Sequence, residues 1–125
     1  MQAKTVGLLI LRLSLAFVFL WFGFSQLSDA AKWVSFVPDF AAKIIDPGVL
    51  VLLNGLFEVV AGSLLAIGIF PRYVALILGA HLLFIGGSMG FSPVGVRDIG
   101  LAFAAMSFFF LAWPETITAS PVLHG

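Results

Sequence analysis

Six side chains in this sequence, Arg12, Asn54, Glu58, His81, Arg97 and Asp98, stand inside or at the mouths of long apolar stretches. A charge within hydrocarbon costs several kcal/mol, so each such group asks for a partner or for a water-filled site. Glu58, near the middle of its stretch, is the most informative of them. Without a partner, a carboxyl at that depth would suit proton exchange with a redox cofactor. Arg12 lies about seven residues into the first stretch, roughly 10 Å deep at 1.5 Å per residue. Three roles are open to it. It could form a buried ion pair with Glu58 that fixes helix register, snorkel its guanidinium to the nearer interface, or serve a ligand or proton site. Arg97 is the rival partner for Glu58, and the sequence does not choose between the two arginines. Asp98 sits where a carboxylate would favour the positive end of the last helix. His81 stands alone among apolar neighbours, which fits a hydrogen-bonded core histidine, a proton carrier or a quinone contact. Haem ligation has little to draw on, since the only other histidine, His124, lies in the tail beyond the last apolar stretch.

Other chemistries find no footing. The residues offer no Ser/His/Asp arrangement at workable spacing, no metal-ligand cluster and no glycine-rich phosphate loop. Cysteine is absent, which removes disulfides, thiolate metal sites and thiol relay by the chain itself. The formal net charge is zero, so nothing in it suggests an electrostatic grip on nucleic acid or on acidic lipid.

The elements that must position these groups follow from composition. Of 125 residues, 62% are hydrophobic and 10% charged, against roughly 25% charged in a soluble domain. Six basic and six acidic residues cannot form a polar shell around that much apolar surface. The length fits a single membrane domain covering 1–125. A spanning helix needs about 20 mostly apolar residues, and four stretches meet or approach that: about 5–27, 47–70, 71–89 and 95–113. The expected fold is therefore an all-α integral membrane protein, a four-transmembrane-helix antiparallel bundle. The first stretch is too long for an ordinary signal sequence, and Arg12 interrupts it. A small-x-small site at Ser28-Asp29-Ala30 is the feature that speaks for cleavage, and retention as a spanning helix is the better reading.

Breakers punctuate the chain. Asp46 and Pro47 form an N-cap and first-turn pair. Phe70-Pro71-Arg72-Tyr73 is a tight turn, which predicts that the second and third spans are antiparallel neighbours. Gly90 to Gly95 is a second short loop. Between the first two spans, 28–46 alternates charges with Trp33, Phe36, Val37 and Phe40, and Pro38 breaks it. That segment reads equally as an amphipathic stretch in the interface or as an ordinary polar loop. The tail, 114–125, reads as flexible and peripheral.

An even number of crossings puts both ends on one side. Lysine and arginine divide almost evenly between the two sides, so the positive-inside rule decides little. Asp29, Asp39, Asp46 and Asp98 gather opposite the ends, which favours cytoplasmic termini. Along the spans, Arg12, Ala16, Phe19, Gly23 and Gln26 share one stripe. Asn54, Glu58 and Gly62 share another, and Asp98, Ala102 and Ala105 a third. Small residues on such stripes let helices approach, and polar ones hydrogen-bond across the contact. Turning every stripe inward gives a polar-cored bundle. Phe108, Phe109 and Phe110 are then expected to face mostly lipid or neighbouring helices, with Trp113 at an interface.

An arginine in the first span, the run Asn54-Gly55-Leu56-Phe57-Glu58-Val59-Val60-Ala61-Gly62, and then Leu65-Ala66-Ile67-Gly68-Ile69-Phe70-Pro71-Arg72 together resemble the DoxX family. Arg97-Asp98 at the mouth of the last span adds to the likeness, which covers about 5–113. The resemblance implies a four-helix integral membrane protein of the prokaryotic cytoplasmic membrane. Relatives are named for a subunit of a terminal quinol oxidase, and a related branch forms part of a thiosulfate:quinone oxidoreductase. Others are linked to membrane oxidoreductase complexes handling thiol or oxidative stress. Lacking cysteine, this chain departs from the thiol-handling version unless a partner supplies the sulfur chemistry.

The leading expectation is a small membrane subunit of a redox or respiratory assembly that contacts quinone. Its partners would be the lipid bilayer and other membrane or redox subunits, or further copies of itself. The rivals are a non-catalytic assembly or chaperone-like subunit, and a small-solute or proton pathway that would need an oligomer.

Overall fold

The computed structural model describes residues 2–114 and is helical almost throughout. Its elements are α1 (Ala3–Ser28), a 3-10 segment (Ala30–Phe36), the one-turn α2 (Asp39–Ala42), α3 (Pro47–Ile67), α4 (Pro71–Met89) and α5 (Pro93–Leu111). The four long helices are each long and apolar enough to cross a membrane. They make up the expected four-helix bundle of an integral membrane protein. The tail residues Glu115 to Gly125, including His124, lie outside the described residues, as does the reading of that tail as flexible.

Local chemistry sets the boundaries. Asp46 caps α3, its carboxylate accepting from the Val49 N–H at 3.3 Å, and Pro47 follows at the first helical position, where its missing N–H costs nothing. At the other end of α3, Gly68 adopts φ +91°, the left-handed conformation that closes a helix and that glycine enters without strain. α5 begins earlier than expected. Its cap is Ser92, whose hydroxyl accepts from the Gly95 N–H at 3.0 Å, and Pro93 takes the first position. Asp98, expected near the cap, stands instead more than a turn inside the helix.

The helices associate as two close pairs, α1 with α3 and α4 with α5. Small residues decide this. A Cβ on Gly23 would stand 2.9 Å from the Gly55 carbonyl oxygen and 2.9 Å from the Val59 nitrogen, so α1 and α3 touch backbone to backbone. A Cβ on Gly79 of α4 would stand 3.0 Å from the Ala102 oxygen of α5. α3 and α4 are joined by the tight turn as expected, but each packs more closely on its other partner.

Burial is inverted relative to a soluble bundle. Phe17, Trp21, Ile67, Ile77 and Phe110 are exposed on the outside, while Gln26, Glu58 and Asp98 are buried. The dry core joins all four long helices through Leu15, Ala16 and Phe19, Ala61 and Leu65, Ala75, Leu78 and Leu82, and Ala102, Ala105 and Phe108. Phe108 is therefore a core residue, whereas Phe110 faces outward. This core fills the half of the bundle nearer the termini. The other half is hollow.

Candidate functional site: a polar-floored cavity under the α1–α3 connection

The hollow half holds a half-open cavity of about 440 Å³, within the range of small-molecule sites. Its walls are apolar, including Val18, Phe19, Phe22, Leu50, Leu82 and Leu101. Its polar groups come from every long helix: Gln26 of α1, Asn54 and Glu58 of α3, His81 of α4, and Arg97 with Asp98 of α5. The connection between α1 and α3 folds over it, and Trp33, Phe36, Val37, Pro38 and Ala41 complete the lining. The 28–46 segment is thus two-sided. Trp33, Val37, Pro38 and Ala41 are half-buried against the cavity and Phe36 lies at its exposed margin, while Phe40 and Ile44 are exposed. Trp33 is tied down by its indole N–H, which donates to Ser25 Oγ at 3.2 Å, and by edge contact with Phe22 at 5.5 Å.

Three helices are linked by one hydrogen-bonded chain. Asn54 Nδ2 donates to Gln26 Oε1 at 2.7 Å, and Asn54 Oδ1 lies 2.6 Å from His81 Nε2. With the amide in this orientation, Oδ1 can only accept, so His81 carries its proton on Nε2. That leaves Nδ1 of the ring outside the chain. The Phe57 ring, 4.7 Å away between centroids, packs against the imidazole. Gln26 belongs to this site although sequence reasoning did not include it among the candidates. The available signal was its place on the α1 stripe as the last polar residue before the span ends.

Glu58 stands one turn beyond Asn54 on α3. It is only 4% exposed, and its Oε2 has no hydrogen-bond partner. Neither arginine reaches it. Arg97 is spent on its neighbour, with Nε and Nη2 placed 3.1 and 3.0 Å from Asp98 Oδ1, and its guanidinium lies 4.9 Å from the Phe22 ring centroid.

Arg12 is held far from Glu58 by register. The antiparallel contact that sets Gly23 against Gly55 and Leu20 against Gly62 brings Arg12 to Gly68, with Nη1 2.7 Å from where a Cβ on that glycine would stand. Glu58 lies roughly 15 Å away along the axis. The ion pair between Arg12 and Glu58 does not form. The guanidinium instead sits at the C-terminal end of α3, where helix carbonyls favour a cation. Of the six candidates, the structure brings together Asn54, Glu58, His81, Arg97 and Asp98, and leaves Arg12 outside.

Fold and site together define a small polytopic membrane protein whose bundle is solid at one end and carries a lidded, polar-floored pocket at the other. The DoxX family profile matches residues 7–90, about two thirds of the chain, and the protein belongs to that family. The match covers α1, α3 and α4 with their connections. It stops short of Arg97 and Asp98, although the resemblance read from the sequence ran on to 113. No curated protein and no solved structure matches the chain.

Proposed function

We propose that the protein is a membrane subunit of a redox assembly and that its cavity receives the ring of a quinone. The observation that carries this reading is the buried Glu58 carboxyl, with one oxygen unpartnered, on the polar floor of an apolar cavity of about 440 Å³. A buried oxygen without a partner costs about 1–3 kcal/mol, more when charged. A ligand that completes its hydrogen bonding therefore binds with that gain added to apolar burial. A quinone ring meets these demands on both counts. Its flat body suits walls of Phe22, Trp33, Phe36 and Phe57, and its oxygens are polar groups at opposite edges. The carboxyl can accept from a quinol hydroxyl or, carrying a proton, donate to a quinone carbonyl. His81 lines the same cavity and is a second group able to hold a proton at Nδ1. Family membership adds to this, since two of the branches described above are named for quinone-linked membrane complexes. Electrons would enter and leave through a partner subunit, because the chain has no cysteine and the described residues include no cluster of metal-ligating side chains.

The test is titration of a short-chain quinone into purified protein, followed by quenching of Trp33 in a variant whose other two tryptophans are phenylalanine. Saturable quenching that weakens about tenfold in Glu58→Gln, a loss of about 1.4 kcal/mol, is the expected result. Equal quenching in both proteins, or partitioning without saturation, would remove the quinone reading. The bundle would then stand as an assembly subunit with a structural polar network.

A further inference from the structure

Three buried side-chain polar atoms among the described residues have no hydrogen-bond partner: Glu58 Oε2, Arg12 Nε and Arg72 Nε. The first belongs to the cavity. The two arginines stand at the opposite end of the bundle, on either side of the turn between α3 and α4. Arg12 lies against Gly68, the residue that closes α3, and Arg72 is the second residue of α4. Neither makes an ion pair with a described residue. The described part of this end holds no aspartate or glutamate: Asp29, Asp39, Asp46 and Asp98 lie at the other end, and Glu58 lies midway.

A guanidinium offers five N–H donors in a fixed plane and keeps its charge. Half-buried and with no anionic partner among the described residues, each of the two has donors left for a ligand. Arg72 is also held in place. Its guanidinium carbon lies 3.9 Å from the Trp113 ring centroid, 4.7 Å from that of Phe109 and 4.9 Å from that of Tyr73. Aromatic faces engage a guanidinium through its charge and its flat surface, so the in-plane N–H groups remain to be used. The same turn presents the start of α4. Phe70 occupies its N-cap with no side-chain acceptor, which leaves first-turn amides without a cap.

We propose that the α3–α4 turn binds an anionic phosphate group through Arg12 and Arg72, and that this group is the headgroup of a membrane lipid. Arginine pairs with phosphate through parallel charge-assisted hydrogen bonds, which fits two guanidinium groups with no ion pair among the described residues. The surroundings favour a lipid over free phosphate. Ile67, Ile69 and Phe70 are exposed beside the turn, where acyl chains would cover them. Tyr73 and Trp113 mark the depth at which aromatic side chains meet headgroups. Basic groups at such a level attract anionic lipid.

The experiment is native mass spectrometry of the intact protein released from bilayers of equal phosphatidylglycerol and phosphatidylcholine, with thermal melting in detergent as second readout. The expected result is about tenfold preferential retention of phosphatidylglycerol, lost in R12Q/R72Q. The same lipid should raise Tm for the parent protein and not for the variant. Should the double variant fail to fold, R72Q alone gives the same comparison, since it leaves the Arg12–Gly68 contact in place. Inorganic phosphate is the competing arm: if it alone raises Tm and displaces the lipid, the lipid assignment is overturned and a free-phosphate site stands in its place. Equal retention of the two lipids, or a preference unchanged in the variants, overturns the site altogether.

Discussion

His81 Nε2 lies 2.6 Å from Asn54 Oδ1, and this contact is the side-chain hydrogen bond that joins α3 to α4 among the described residues. Since α1 and α3 form one close pair and α4 and α5 the other, the contact also bridges the two halves of the bundle. Asn54 reaches Gln26 with its other amide atom, so a single side chain fixes three helices around the cavity.

Removing that side chain should loosen the bundle without dissolving it. Interhelical hydrogen bonds in membranes are worth about 0.6 kcal/mol on average and up to about 1.7. Asn54→Ala breaks two and leaves His81 unsatisfied, so a loss of about 1–2 kcal/mol is expected in reversible unfolding. Asn54→Ala combined with His81→Ala should cost less than the two single changes added together, because they share a bond. Additive losses would mean that the contact carries no energy.

Backbone contact between α1 and α3 gives a sharper contrast. Gly23→Ala places a methyl 2.9 Å from backbone atoms of Gly55 and Val59, which cannot move aside as a side-chain tip would. A loss of about 1–3 kcal/mol should follow. Gly7→Ala and Gly100→Ala, where a Cβ meets nothing within 4 Å, should be neutral or slightly stabilising. Thermal melting of the three variants in one detergent checks the ordering.

Gly68→Ala tests the placement of Arg12. The φ of +91° would cost an L-residue about 1–2 kcal/mol, and the new methyl would displace the guanidinium. In an Arg12→Ala background only the backbone strain remains, so the substitution should cost less there. Equal cost in both backgrounds would show that Arg12 does not rest on this glycine.

The lid over the cavity gives a fourth prediction. Trp33→Ala removes a wall and the bond to Ser25, while the dry core in the other half of the bundle is untouched. Ligand release should accelerate about tenfold with little change in Tm. Stopped-flow displacement of a bound short-chain quinone measures this directly.

Much of this architecture could be read from the residues. The spans follow from hydropathy, and two of their starts from Asp46-Pro47 and Pro71, because capping is local chemistry; α3 stops at Gly68, short of the expected 70, and α5 starts at Ser92-Pro93, ahead of the expected 95. The stripes carrying Ala16, Phe19, Gly23 and Gln26, and Glu58 with Gly62, do turn inward. Pairings were harder to read. Nothing local sets the depth of one helix against another, so the sequence leaves Arg12 and Arg97 as rival partners for Glu58, and the Gly23–Gly55 contact sets a register that takes Arg12 to Gly68 instead. A tight turn shows that α3 and α4 are consecutive, but backbone approach at Gly23 and Gly79 decides the closest neighbours. The roof of the cavity was also hidden. Trp33 and Phe36 sit in a segment too short and irregular for periodicity to show which way they face.

The most direct test of the quinone reading is to extract the protein from its membrane in lipid-preserving particles and quantify quinone by mass spectrometry. The parent protein should retain quinone stoichiometrically, and Glu58→Gln, equally folded, should retain little. Particles holding only bulk lipid, or quinone in equal amount with both proteins, would contradict the account.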